Sequence, residues 1–325
     1  MVSIEFRSSL APHFSEFLAM KKALGYKYDS GAELLKRFDR FCCNFSTATP
    51  SLPKDIVLSW IAKRPNEVET TRQKRVAIVK EFGAFLHHCG IEAYLPPLHE
   101  ENAPESTFTP YIFTHDQIGK LFIAADKHPS HRAHPISNTM YSVLFRMLYS
   151  CGLRISEALR LQYNDVENGI LIIRESKFGK NRLVPISGSL QDTLAEYLVL
   201  VKTYYLDNPH VFPSRFSNDA IVDRCAYSYF RKLLWEAGIP HGGKGKGPRL
   251  HDLRHTFAVH SLQKWIADGV DIYAALPILA KYMGHEHLRM TQRYLRLTAE
   301  VYPELTALVE RYSGGIIPEV LHEYN

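Results

Sequence analysis

No stretch of this 325-residue chain is apolar for long enough to cross a bilayer, and its start, MVSIEFRSSLAPHF, lacks the basic-then-apolar layout of a signal peptide. Both absences point to a cytoplasmic protein with no membrane partner. Cysteine is scarce. Cys42, Cys43, Cys89, Cys151 and Cys225 are odd in number and form no CxxC pair, which suits a reducing compartment. Their mostly apolar helical surroundings predict small buried hydrophobes. An excess of one charge is also nearly absent: residues 1–105 carry 14 Lys/Arg against 13 Asp/Glu, and residues 106–325 carry 25 against 21. The pI near 8.8 falls short of the value above about 9 that would by itself suggest nucleic acid. Any argument for DNA must therefore come from local clusters. Internal repeats and low-complexity segments are missing as well.

What is present is an ordinary globular balance, 46% apolar and 22% charged, in a chain long enough for two domains. Apolar residues at helical spacing run through APHFSEFLAMKKALG, GAELLKRFDRFCCNF, PKDIVLSWIAKR and EVETTRQKRVAIVKEFGAFLHHCG. Gly25 and Gly90 are placed to end the first and last of these. The expectation is a compact helical domain over 1–93. From Tyr94 to Pro110 periodicity lapses in YLPPLHEENAPESTFTP, a linker by composition. A second domain over 111–325 opens with Thr114 and Gln117 in a capping-box pattern. It is mainly helical, with one predicted β-hairpin from GILIIRE and RLVPI around SKFGKN. The fold class expected is mainly α with a small β-hairpin or sheet.

Four segments of the second domain could carry chemistry. In SCGLRISEALRL, Gly152 breaks a helix and Arg154 follows; alone, Arg154 reads as a surface arginine paired with Glu157. The hairpin carries Lys177, Lys180 and Arg182 and, alone, is a charged turn. In GKGKGPRLHDLRHTFAVH, a basic loop with Lys244 and Lys246 leads to His251, Arg254 and His255 on one helical face. A metal pair of His251 and His255 is a poor reading, since the HExxH pattern wants Glu where Asp252 stands and Arg254 would repel the cation. In YMGHEHLRMTQRYLR, one unbroken helix would set His285 and Tyr294 on opposite sides, so convergence requires a bend. A lone tyrosine there is most simply a core residue.

Together these segments supply what phosphoryl transfer without a metal needs. Arginine forks can hold and neutralise the non-bridging oxygens of a phosphodiester. A phenol can attack once a base and cations help it lose its proton, and lysine or histidine can protonate the departing oxygen.

In order and spacing, GLRISEALRL, SKFGKNRLVPI, HDLRHTFA and MGHEHLRMTQRYLRL resemble the motifs of the tyrosine recombinases, or phage integrases, with Xer-type enzymes as near relatives. The resemblance implies a helical, SAM-like core-binding domain and an α+β catalytic domain clamped around double-stranded DNA. It implies that Arg154 and Arg254 clamp the scissile phosphate, Lys177 protonates the 5′-oxygen, His251 assists proton transfer and His285 hydrogen-bonds the phosphate. Tyr294 would form a 3′-phosphotyrosyl link, with Glu157 in support and no metal or nucleotide cofactor. Lys180 competes with Lys177 for the acid role, and register with RLVPI favours Lys177. Candidate DNA contacts are Arg72, Lys74 and Arg75 in the first domain, and Lys180, Arg182, Arg224, Arg231, Lys232, Lys244 and Lys246 in the second. A solvated helix face is the competing account of each helical cluster.

MKKALGYKYD and QRYLRLTAEVYPEL are similar to recombinases carried by transposons, including ones encoded in sets of three. The family implication is a homo-tetramer on two duplexes, with or without sister recombinases, its C-terminal helix docking into a neighbouring protomer. Integration, excision, transposition and dimer resolution are all compatible with this reading. A catalytically silent architectural partner and a type IB topoisomerase-like activity are the alternatives, with a metal hydrolase a distant third.

Overall fold

A computed structural model describes residues 5–45, 50–97, 109–130, 134–174, 181–243 and 247–301, with side chains to Thr298. The chain divides into two compact units, Met1–Phe108 and Thr109–Asn325. The division falls inside the segment read as a linker. Its start is later than composition suggested, because Tyr94 N–H donates to Leu52 O at 2.8 Å and Ala93 bridges Leu52, tying this stretch to the first unit.

The first unit contains α1 (Ala11–Ala23), α2 (Asp29–Cys42), α3 (Lys54–Ile61) and α4 (Glu69–His88). Aromatic rings fill its centre: Phe14 stacks on Phe82 with centroids 4.1 Å apart, and Phe17, Phe38 and Trp60 complete the buried cluster. Burying several such rings is the main stabilising term of a small helical unit. Gly25, at φ 85°, ends α1 in the left-handed conformation that glycine adopts without steric cost.

The structure gives Arg75 and Arg72, two of the three α4 residues expected to contact DNA, partners within the protein. Arg75 is 2% exposed. Its guanidinium donates to Trp60 O, to Ala62 O at 2.9 Å and to both oxygens of Glu67. Arg72 donates to Ile61 O at 2.9 Å and pairs with Glu69 at 3.0 Å. The two arginines cap the carbonyls at the end of α3, where helical geometry leaves acceptors unpaired and cations are favoured. Lys74 is the one of the three that faces solvent.

The second unit contains α5 (His115–Lys127), α6 (Ser137–Ser150), α7 (Ile155–Leu159), α8 (Gly188–Tyr204), α9 (Asp223–Glu236), α10 (Asp252–Ala267), α11 (Ile272–Met283) and α12 (Arg289–Val301). The Thr114–Gln117 capping box opens α5 as expected, with Gln117 N–H donating to Thr114 Oγ1 at 3.2 Å. An antiparallel sheet in the order β1-β2-β3 uses β1 (Val166–Glu167), β2 (Ile170–Ile173) and β3 (Arg182–Pro185). The hairpin pairs Ile170 with Pro185 and Ile173 with Arg182. The sequence reading missed β1, although Asn168-Gly169 announces it. Both residues have positive φ, 47° and 75°, as a two-residue turn between twisted strands requires.

Helix α6 is buried along most of its length and anchors the main core, while α10, α11 and α12 enclose a second cluster that includes Tyr294 and Leu297. Only Cys42 and Cys151 are buried; Cys43, Cys89 and Cys225 are exposed at helix ends, so the expected burial holds for two of the five. No helix among the described residues is long and apolar enough to cross a membrane.

Candidate active site

The site forms where α7, the start of α10, the α11–α12 connection and one face of α12 meet. Two glycines shape it. Gly152, at φ 57°, turns the chain after α6, and a Cβ there would collide with the Phe257 ring. Gly284, at φ 69°, ends α11, and a Cβ there would lie 2.9 Å from Arg182 Nη1. Each turn presents a carbonyl to an arginine. Gly152 O accepts from Arg254, and Gly284 O accepts from Arg154 Nη2 at 3.4 Å.

Arg254 is buried, and its second arm donates to Met283 O at 2.7 Å. Burial first, and then repulsion from Arg154 and Arg182, lowers its pKa to about 10, so it remains a cation at neutral pH. Arg154 caps α7 and donates Nη1 to Glu157 Oε1 at 2.7 Å, with its backbone N–H on Oε2 at 2.9 Å. The sequence offered a bland surface pair or an active-site role; the pair exists, and it sits inside the arginine cluster.

Glu157 is 2% exposed. Arg182 grips it with both arms, Nη1 to Oε1 at 3.0 Å and Nη2 to Oε2 at 2.9 Å, and donates Nε to Tyr282 O at 2.9 Å. Burial alone would raise the carboxyl pKa. The Arg182 contacts and charge, followed by Arg154, outweigh it and hold Glu157 at about 2. This corrects Arg182, which was read as a DNA contact. Its fork is consumed by Glu157 and the α11 backbone, making it the residue that orients the carboxylate beneath Arg154.

The bend required between His285 and Tyr294 occurs between Gly284 and Arg289. It brings the two rings to 6.0 Å between centroids at 18°, and His285 Nδ1 lies 2.8 Å from Thr291 Oγ1. Thr291, Tyr294, Leu297 and Thr298 form the buried face of α12. Tyr294 is therefore a core tyrosine whose hydroxyl emerges among cations. Burial raises the phenol pKa, while the charges of Arg254, Arg293 and Arg154 pull it back. His255 Nδ1 lies 2.9 Å from the phenolic oxygen.

His251 stands at the first turn of α10, edge-to-face with His255 at 4.8 Å between centroids. Its residue surface is largely exposed, yet protein around the ring, then Arg254, Arg249 and Arg154, lowers its pKa to about 4. Burial and neighbouring arginines likewise lower His285 to about 3. Burial, His251 and the arginines lower His255 to about 3 as well, so all three rings are neutral near pH 7. The Asp252 carboxylate turns back to Arg249, accepting its backbone N–H at 2.8 Å. Both its oxygens are taken by Arg249, and the arginines around His251 and His255 would repel a cation there. Among the described residues the one grouping of three potential metal ligands is His13, Glu16 and Cys89, in the other unit.

Arg154, Glu157, His251, Arg254, His285 and Tyr294 thus converge. Lys177, Lys180, Lys244 and Lys246 lie outside the described residues. Arg224 and Lys232 are exposed on α9, and Arg231 is engaged by Tyr227 Oη and the His241 ring. The sequence reading left out His255 as a partner of Tyr294. Its position one residue after Arg254 was visible, but its contact joins α10 to α12.

The profile of the phage integrase family matches residues 112–300. The chain belongs to the phage integrase family. It is 30% identical over 303 residues to the integrase/recombinase y4rB of Sinorhizobium fredii, covering 91% of this chain and 95% of that protein. The tyrosine recombinase XerA of Pyrococcus horikoshii is 29% identical over 244 residues, 73% of this chain and 75% of that protein. In fold, the chain resembles the XerH site-specific recombinase bound to palindromic difH substrate, with TM-score 0.62 and 17% identity. That match covers 87% of this chain and 79% of the other. This recombinase is therefore an enzyme of DNA recombination, mainly helical with a small three-stranded sheet, as its sequence led one to expect.

Proposed function

We propose that the recombinase cuts and rejoins duplex DNA at a specific site through a 3′-phosphotyrosyl link to Tyr294, in the movement of a mobile element. The observation that carries this is the Tyr294 hydroxyl, 2.9 Å from a histidine nitrogen and within the electrostatic reach of Arg254 and Arg154, with the His285 ring stacked on its own. The phenolic oxygen attacks phosphorus, forming the Tyr–O–P bond as the P–O5′ bond breaks. Arg154 and Arg254 neutralise charge growing on the non-bridging oxygens, and His285 donates to one of them. Lys177 protonates the departing 5′-oxygen. Reversal by a 5′-hydroxyl from another duplex rejoins the strands, and the covalent link conserves the bond, so no nucleotide is consumed.

Exchange between two duplexes breaks four strands, and one tyrosine per protomer gives four protomers. The similarity to a bacterial integrase/recombinase supports the mobile-element role. Lys74, Arg224 and Lys232, exposed on their helices, are the described candidates for phosphate contacts.

The test is covalent trapping in EDTA, using nicked duplexes from the DNA flanking the gene, so that the short 5′-hydroxyl fragment escapes. A detergent-resistant adduct is expected from wild type and not from Tyr294→Phe. Binding without an adduct in either protein would refute the reading in favour of a silent architectural partner. An adduct that relaxes supercoils with no sequence preference would favour a topoisomerase-like activity.

A further inference from the structure

The ring nitrogen His255 Nδ1 lies 2.9 Å from the Tyr294 hydroxyl and can accept its proton. The charged groups that act on the phenol, Arg254, Arg293 and Arg154, are guanidinium cations with no lone pair to offer. The O–H therefore donates to His255 when Nδ1 is unprotonated, with any ring hydrogen on Nε2. The surroundings favour the neutral ring. His251 and Arg254 face it from α10, Arg249 from the preceding turn and Arg293 from α12, and no carboxylate figures among these neighbours. His251 lies one ring further out, 4.8 Å from His255 between centroids.

We propose that His255 is the base of the cleavage step, its Nδ1 taking the Tyr294 proton as the phenolic oxygen attacks phosphorus. The inference rests on the reading of Tyr294 as nucleophile. The steps balance: the Tyr–O–P bond forms and P–O5′ breaks. The phenol proton goes to His255, and the leaving oxygen takes a separate proton from the acid. In rejoining, the attacking 5′-hydroxyl returns its proton to the deprotonated acid on the opposite side of phosphorus. His255 then returns its own proton to the departing phenolate. The imidazolium formed during cleavage is transient, because burial and its cationic neighbours push its pKa down to about 3. This favours return of the proton and reversibility. His251 is thereby freed to act nearer the phosphate or as a relay from His255 towards solvent.

The experiment compares wild type, His255→Asn and His255→Phe on the nicked duplex. The scissile phosphate carries either oxygen or sulfur at the 5′-bridging position; a thiolate leaves without being protonated. Asn keeps a hydrogen-bond acceptor near the Nδ1 position but cannot take up a proton, which separates positioning from base catalysis. Both variants are expected to bind DNA as wild type does and to lose about 10²–10⁴-fold in cleavage rate near neutral pH. Their rates should rise about tenfold per pH unit as the phenolate fraction rises, while wild type stays nearly flat. The sulfur substrate should not rescue them. Wild-type rates in His255→Asn, an equal loss at every pH, or full rescue by sulfur would overturn the proposal. If wild type forms no adduct, the Tyr294 reading falls and this inference with it. A wild-type adduct with an unaffected His255→Asn removes this inference alone.

Discussion

Replacing Glu157 with Gln tests the electrostatic centre of the site with almost no change in shape. The carboxylate accepts four hydrogen bonds: the Arg154 backbone N–H at 2.9 Å, Arg154 Nη1 at 2.7 Å, and Arg182 Nη1 and Nη2 at 3.0 and 2.9 Å. An amide has one oxygen to offer, and its NH₂ would face N–H groups on the other side. Two guanidinium groups would share the pocket without their counter-ion. Breaking a buried pair in this way costs about 3–5 kcal/mol. At about 2–4 °C per kcal/mol for a unit of this size, melting should fall by roughly 10 °C.

The pH dependence fixes the sign. Glu157 titrates at about 2 in the fold against a model-compound value of 4.5. A depressed carboxyl stabilises fully above its unfolded pKa and loses that contribution as pH falls through the folded one. The gap between wild type and Glu157→Gln should therefore be full at pH 7 and shrink from 4.5 towards 2. The assay is thermal or urea unfolding of the intact chain at pH 7, 5, 4 and 3, with adduct formation measured alongside. Cleavage should weaken as Arg154 loses its anchor. A stability loss under about 1 kcal/mol, or a gap that does not change with pH, would refute the assignment of Glu157 as the paired anion.

Three further predictions concern α4 and the histidines. Arg75→Met should destabilise the first unit, because Trp60 O and Ala62 O lose their donor at about 1–3 kcal/mol per buried acceptor. The salt dependence of DNA binding should stay unchanged, whereas Lys74→Met should reduce its slope by about one. Unfolding curves and binding isotherms at several salt concentrations check both. Stability should also decline as pH falls from 6.5 towards 4. His251 and His260 titrate at about 4, and His255 and His285 at about 3, so unfolding takes up protons throughout that range. Urea midpoints at pH 7.5, 6 and 5 measure this, and midpoints that do not move would count against burial of these rings in neutral form.

Local features were legible because their causes are local. A Thr–Gln capping box, left-handed glycines after α1 and α11, and the apolar periods of the helices depend on neighbours a few residues away. Order and spacing also marked Arg154, Glu157, His251, Arg254, His285 and Tyr294 as one set, and a bend after Gly284 follows from helical geometry once His285 and Tyr294 are required to meet. Strand β1 escaped notice because two residues carry too little pattern, although Asn168-Gly169 was there to be read.

The partners of the long cationic and imidazole side chains were decided by the tertiary structure. Arg72, Arg75 and Arg182 look alike in sequence to arginines that bind phosphate, yet Arg75 and Arg72 complete the end of α3 and Arg182 holds Glu157. A guanidinium is equally suited to a carbonyl, a carboxylate or a phosphate, so its role depends on what the fold brings within reach. His255 shows the same limit. The His251–Arg254–His255 face was plain from helical spacing, but the meeting of His255 with Tyr294 depends on α12 packing against α10 across 39 residues of chain. The sequence by itself determined the family, most of the elements and the set of candidate site residues, because motif spacing and short-range periodicity are written in the chain. Which arginine is taken up by the protein itself and which nitrogen faces the phenol depended on long-range packing, which local pattern does not encode.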